Sequence, residues 1–565
     1  MLSTSPLLLL AALAVPQQPR EPVELGASAS KTALAQDGDL SVVVWQDARS
    51  GLHASTSDAR GLEWSPAVEI DAAWPGTRGF WHQGVAVSDG SIYVVWSDTR
   101  DGKSNLQLSR SDDAGASWSA PTRVPDGALP GAEEVIHYQV EASGDNVYVA
   151  MRRSRAGLQF TDDIWFASSN DRGQTWNASL QANTATAGCF ALAMAAEGDN
   201  AFVTWSDGRH ASLNHATDLF LRMTHNAGAS WMMNMGDEKI NESPAGTGTV
   251  AWEGLDLQGG MTGLVAAWLE RDLPAVGDPA QLHVRYSPDG GHMWPIPEST
   301  LGVHGGAVKE HALGFDGYTL VVAWVEESAG RDEVFAARSI DFGLNWSIEQ
   351  ISTTGGSAPR VAGAGDQWLV LYSPPGETQL LARSSRDGGA SWLPAVDLLA
   401  TNAGTASDAD LHFDARYGNF LASWIDRPAT AADRAVAGGV RPQTLTAHSP
   451  SFAPGDPLHF EASHFPISDD GANFLVFVSR GTGGFALPWQ DGRLTGLASN
   501  PYLPAYLPVL SGTLDSGGFG ATIPTVVPST PGVTWYATAL SYLVSSTTGR
   551  VYPLTLSDRI AIPVQ

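Results

Sequence analysis

One set of positions recurs at a fixed place in each repeat of this chain yet carries a different side chain in almost every copy. When the first strands of the repeats are aligned on their apolar pair, Lys31, His82, His137, Cys189, Trp252, Glu310, Ala358 and Asp408 become equivalent. The next position holds Thr32, Gln83, Tyr138, Phe190, Glu253, His311, Pro359 and Ala409, and the one after it includes Arg360 and Asp410. Imidazoles, carboxylates, a phenol and a guanidinium brought to one place can exchange protons, pair with an ionic ligand or hydrogen-bond a polyol. His82, His137, Tyr138, Trp252, Glu253, Glu310, His311, Arg360, Asp408 and Asp410 are therefore the expected ligand-binding set. A hydrated channel, with its polar groups satisfied by trapped water, is the competing expectation. His82 and His137 beside a carboxylate have the chemistry to hold a divalent cation in the channel. They lack the short ligand spacing of a dedicated site, so no metal and no other cofactor is expected.

A second set repeats faithfully. It comprises Asp47 and Arg49, Asp98 and Arg100, Asp207 and Arg209, and Asp426 and Arg427, each just after an apolar strand ending in Trp. The third repeat has Arg153 and Arg155 there, and the fifth and sixth have Glu270, Arg271, Glu326 and Glu327. A feature present in most copies is expected to hold loops together through charge-assisted bonds. A ligand site is expected to interrupt a repeat.

The elements that position both sets are short strands and turns. Six copies of one turn occur: SDDAGASW, SNDRGQTW, THNAGASW, SPDGGHMW, SIDFGLNW and SRDGGASW, from Ser111, Ser169, Thr224, Ser287, Ser339 and Ser385. A degenerate seventh, SDARGLEW, begins at Ser57. The carboxylate or amide of Asp113, Asp171, Asn226, Asp289, Asp341 and Asp387 can accept its own turn's N–H groups, Gly permits positive φ, and Trp is an apolar plate. Upstream of each turn an apolar strand ends at Trp45, Trp96, Met151, Trp205, Trp268, Trp324, Tyr372 and, without a following turn, Trp424. Repeats of this length built from short strands predict an all-β propeller over residues 21–440 with eight blades. Seven blades with a linker over 405–440 is the alternative. Residues 21–25 (EPVEL) match the fourth strands PAVEI and PAVDL, so they are expected to complete the last blade and close the ring. Repeats stop near Arg441, and residues 441–565 read as an Ig-like β-sandwich.

The six turns are Asp boxes, and the chain resembles the sialidase (neuraminidase) superfamily and its non-enzymatic Asp-box relatives. The resemblance implies that the boxes are scaffold, with any site at the opposite end of the ring. In sialidases it implies three arginines on a substrate carboxylate, a Tyr nucleophile activated by Glu, and an Asp acid/base. Tyr138, Glu253 and Arg360 are the residues that could take such parts. The Arg-Ile-Pro motif of the family is missing before the first box, its nearest echo is Pro359-Arg360-Val361, and sialidase rings have six blades. A non-catalytic module that binds carbohydrate or another external ligand is thus the leading expectation. A sialidase-type glycoside hydrolase and a purely structural module are the alternatives.

Composition narrows the partners. Net charge is −28, and Lys31, Lys103, Lys239 and Lys309 are the only lysines, which disfavours nucleic acid and anionic membranes. Leu7–Leu13 followed by Ala14 reads as a signal peptide over residues 1–14, although no basic residue precedes it. A secreted, extracellular or periplasmic monomer with no membrane span is expected. Cys189 stands alone, so no intrachain disulfide can form.

Overall fold

The computed structural model describes residues 23–440 apart from 59–60, 62, 75, 77, 81–83, 128–132, 156–161, 186–187, 212–215, 234–235, 273–278, 400–403, 415–418 and 429–430, and beyond 440 the strands named below with a few adjoining residues. The signal-peptide reading, residues 1–14, lies outside the described residues.

Eight antiparallel sheets follow one another along the chain. They occupy residues 29–70, 78–123, 133–181, 189–239, 248–301, 308–350, 357–397 and 404–440, the last completed by Val23–Ala27. Each innermost strand packs against the innermost strand of the next sheet, and Gly404–Asp414 of the eighth returns to Ala29–Asp37 of the first. The sheets are therefore the blades of a closed eight-bladed β-propeller. The seven-blade alternative is excluded because residues 404–440 form a blade and not a linker. Val23–Ala27 pairs antiparallel with Arg434–Val440, Val23 opposite Ala437 and Ala27 opposite Arg434. Gly26 is required there, since a Cβ would lie 2.5 Å from the Trp45 ring.

Second strands show why the sequence makes blades. Val42, Val43, Val44 and Trp45 are consecutive and all buried. Such a strand is apolar on both faces because blades flank it on both sides, and β-branched residues suit its pleat. The core consequently lies between blades. Between the fifth and sixth, for example, Val265, Ala267 and Leu282 pack on Leu313, Val322 and Trp324. All eight residues of the aromatic ladder, Met151 included, are buried.

The six turns adopt one geometry. In the second blade Ser111 Oγ donates to Asp113 Oδ1 at 2.8 Å and accepts the Gly115 N–H at 2.8 Å, while Asp113 accepts the Ser117 N–H at 2.8 Å. Two successive residues take positive φ: Ala114 (55°) with Gly115 (87°), Arg172 with Gly173, Ala227 with Gly228, and Phe342 with Gly343. Each turn docks on the preceding blade. Thr56 Oγ1 donates to the Ala114 carbonyl at 2.9 Å, and Asn170 Nδ2 donates to that of Ala227 at 2.9 Å. The closing Trp residues 118, 176, 231, 294, 346 and 392 pack into the seam behind them.

After residue 440 the described strands form two more antiparallel sheets. One contains Thr444–His448, Pro457–Ser463, Gly520–Ala521 and Thr525–Val526. The other is built on Asn473–Ser479 and Thr534–Val544, with Ser511–Thr513, Val551–Leu556 and Ile560–Pro563 alongside. No α-helix occurs among the described residues, and none is long and apolar enough to cross a membrane.

Candidate functional site

Register decides which groups share an end of the ring. In the third blade Glu133, at the start of the inner strand, lies opposite Arg155, at the end of the second, and Arg153 opposite Asp163, at the start of the third. Ser169, which opens the conserved turn, is paired at the other end with Val147, beside the first hairpin. Inner-strand starts and the Asp–Arg set therefore lie together, opposite the six turns.

The recurring charges are consumed internally. Asp98 accepts the Trp96 indole N–H at 2.9 Å, and Arg100 bridges Asp98 and Asp71. Two blades on, Asp207 accepts from Trp205 at 3.0 Å, and Arg209 bridges Asp207 and Asp237. Arg153 pairs with Asp126 at 2.6 Å, and Asp426 with Arg434, which also reaches Glu24 of the closing strand. Glu270 and Glu326 take indole N–H groups of Trp268 and Trp324. Asp47 instead caps its own turn, accepting N–H groups of Arg49 and Gly51. Partnered by these donors, the carboxylates are tolerated in a buried position. Arg427 departs from the expected pairing, reaching Asp433 at 3.4 Å and not its neighbour Asp426.

The varied set sits on backbone irregularities. Pairing of inner with second strands slips between Ala29 and Lys31, Val135 and His137, Cys189 and Leu192, Val250 and Leu255, Val308 and Glu310, Ser357 and Arg360, and Ser407 and Asp410. In the second blade the inner strand is split into Arg78–Gly79 and Val85–Ser88. A bulge re-aims the side chain it carries, and bulges recur beside functional sites. Two of these residues, Ala358 (φ 50°) and Asp408 (φ 53°), occupy the left-handed region that L residues avoid.

Placement divides the predicted residues. Lys31, His137, Arg360, Asp408 and Asp410 are part-exposed, and Glu310 is exposed. Three of the carboxylates also serve the frame. Thr32 N–H donates to Asp408 Oδ2 at 2.6 Å, Leu34 N–H to Asp410 Oδ2 at 3.0 Å, and Ala358 N–H to Glu310 Oε2 at 2.6 Å. An innermost strand is a sheet edge with unpaired peptide groups, and side chains of the preceding blade satisfy them. Arg360 donates from Nη1 to the Pro359 carbonyl at 2.9 Å, and no carboxylate among the described residues is shown paired with it. His311 is withdrawn, its side chain 2% exposed and Nε2 3.4 Å from Asp256 of the preceding blade. Burial lowers its pKa, with Asp256 opposing.

Tyr138 corrects an expectation. It is fully buried between the second and third blades, and its hydroxyl donates to the Gly79 carbonyl at 3.0 Å. Strand alternation sends His137 toward the channel and Tyr138 into the seam, so Tyr138 is neither a ligand contact nor an accessible nucleophile. Cys189 is buried likewise, and burial raises its thiol pKa well above the ordinary value. His82 and the side chains of Trp252 and Glu253 lie outside the described residues.

Sequence reading missed polar residues further along the same strands. Gln139 and Gln258 bond backbone groups of the next blade at Met194 and Leu313, and Gln36 donates to Asp414 at 2.8 Å. Glu141 accepts from Gln139 at 2.9 Å, and burial pushes its carboxyl up to about 7. Polar residues alternating with buried ones along the inner strands were the available signal. Also missed was Glu270 with His283 and Glu298, whose ligand atoms lie within 4.8 Å of one another. They could hold a cation, although His283 already bonds Glu298 at 2.5 Å and Glu270 takes the Trp268 indole and Ser243 hydroxyl.

No protein-family model matches the chain, and no curated protein resembles it in sequence. Solved structures similar to it include a prolyl endopeptidase (TM-score 0.39, 13% identity, 78% of this chain and 60% of that one). An ulvan lyase is similar at TM-score 0.40 and 12% identity over 62% of this chain and 92% of that one. The sialidase of Trypanosoma rangeli is similar at TM-score 0.34 and 10% identity, over 77% and 85% respectively. The class is set by the chain's own eight sheets: an all-β propeller whose structural neighbours include sialidases and other propeller enzymes.

Proposed function

We propose that this chain is a secreted, monomeric Asp-box propeller that binds a glycan or another external ligand without transforming it. The ligand docks at the channel mouth on the end remote from the boxes, and residues 441–565 form an appended β-sandwich. One observation carries the reading. Most polar groups that recur from blade to blade are spent on internal bonds, while six of those that differ, Lys31, His137, Glu310, Arg360, Asp408 and Asp410, sit at bulges and retain exposure. Arg360 on the seventh blade, with Lys31 on the first and His137 on the third, supplies the recognition chemistry: a guanidinium fork for a carboxylate or sulfate, and donors for hydroxyls.

The sialidase-type alternative finds less support. Tyr138 is enclosed and hydrogen-bonded, and Arg100, Arg153 and Arg209 already engage carboxylates. A glycan array probed with the purified chain, with Arg360→Ala beside it, tests the proposal. Binding to an acidic glycan that falls at least tenfold in the variant is the expected result; no binding to any glycan would sink it. Turnover of fluorogenic glycosides abolished by Arg360→Ala would establish the hydrolase instead.

A further inference from the structure

Two histidines face each other at the opposite end of the ring. His225 is the second residue of the fourth blade's turn and His292 the sixth of the fifth blade's. Their Nε2 atoms are 3.4 Å apart, their ring centroids 5.1 Å apart, and the rings are within 12° of parallel. His292 Nδ1 lies 2.6 Å from the Asp289 carbonyl, which can only accept, so that nitrogen carries a proton. His225 Nδ1 lies 2.8 Å from Asn200 Oδ1, and the amide is oriented by its own Nδ2 donating to the Glu197 carbonyl at 3.0 Å. His225 Nδ1 is thus a donor too. In the neutral pair both Nε2 atoms then present lone pairs to each other across a gap that only a cation relieves.

We propose that His225 and His292 together form a binding site for a divalent transition-metal ion such as zinc. Two imidazoles on one tetrahedral ion, each bond about 2.0–2.1 Å, stand roughly 3.3 Å apart at nitrogen and roughly 5.2 Å at their centroids. The observed pair fits both distances. Nδ1–H groups donating to a carbonyl and an amide oxygen are the outer partners that orient metal-binding imidazoles. Both rings are part-exposed, so water can complete the coordination. The pair is specific to one seam. Corresponding residues of the other adjacent turns are Asp112 with Gln174, Asn170 with Ala229, Pro288 with Leu344, and Ile340 with Ala390. An ion there would clip the fourth blade to the fifth, and its binding would stabilise the fold by mass action.

Zinc chloride titrated calorimetrically into the full chain, in a non-chelating buffer at pH 7.5, tests this. The expected result is an equivalent of zinc whose affinity falls at least tenfold in His225→Gln and in His292→Gln, with the metal-free melting temperature unchanged. That equivalent persists in His283→Gln, which disables the Glu270 group, and zinc raises the melting temperature of the wild type and of His283→Gln but of neither His225→Gln nor His292→Gln. Unaltered binding in the His225→Gln/His292→Gln double variant, or zinc binding abolished only by His283→Gln, would overturn the proposal. So would no binding at millimolar zinc.

Discussion

Replacing Arg209 by Met should cost far more stability than replacing Arg360 by Met, although both are arginines at the same end of the ring. Arg209 Nε lies 2.9 and 3.0 Å from the two oxygens of Asp207, Nη1 is 2.5 Å from Asp237, and the guanidinium sits 3.9 Å from the Phe220 ring centroid. The side chains of Asp207 and Asp237 are 0% and 1% exposed. Removing one partner of a buried ion pair costs about 3–5 kcal/mol, because the other charge stays desolvated. Asp237 keeps Arg222 at 3.3 Å and the Thr184 hydroxyl at 2.6 Å, and Asp207 keeps the Trp205 indole, which favours the lower end, about 3 kcal/mol. Arg360, bonded only to its neighbour's carbonyl among the described residues, should shift stability by no more than about 0.5 kcal/mol. Urea unfolding at 25 °C, followed by tryptophan fluorescence, measures both. Equal losses in the two variants, or a loss below about 1 kcal/mol for Arg209→Met, would refute the division between structural and variable charges.

Three further outcomes are expected. Ala114→Gly should stabilise the chain by about 0.5–1 kcal/mol, because Ala114 holds a φ of 55°, whereas Gly115→Ala should destabilise it, its Cβ falling 2.6 Å from Thr56 Cγ2. Thermal melts read both signs. Glu141 has a folded-state pKa raised by burial to about 7 from the ordinary 4.5, so between these values the folded chain holds a proton the unfolded chain has released. Stability therefore falls as pH rises through that window; Glu141→Gln should be the more stable protein at pH 8, with the advantage fading toward pH 4.5 in parallel urea titrations. Gly26→Ala should cost about 1–3 kcal/mol through overpacking against Trp45, and limited proteolysis should then cut first near the closing strand.

The architecture was legible because its signals are local. A turn that needs Ser, Asp, Gly and Trp at fixed offsets announces itself, and a strand buried on both faces reads as VVVW. Closure was legible too, since PVEL resembles the outer strands it imitates, and the described pairing runs over 23–27. The site was only half legible. Alignment found the variable positions, but the same residue types serve two ends: Asp408 and Glu310 looked like ligand contacts and also hold backbone N–H groups of the next blade. Tyr138 was misjudged because consecutive residues of a strand take opposite faces, so it could not share the channel with His137. The approach of His225 to His292 joins turns 67 residues apart, invisible until neighbouring blades are stacked.

Arg434 reaches Glu24, 410 positions earlier in the chain. Until the eighth sheet exists, Val23–Ala27 has nowhere to go, and a nascent polypeptide must carry it idle while seven sheets assemble. The ring is thus sealed late by its oldest residues, against the entropy of gathering so long a loop. Once they lock in, the first and eighth blades can part only by tearing a zipper of strand pairs, which makes this seam the latch of the ring.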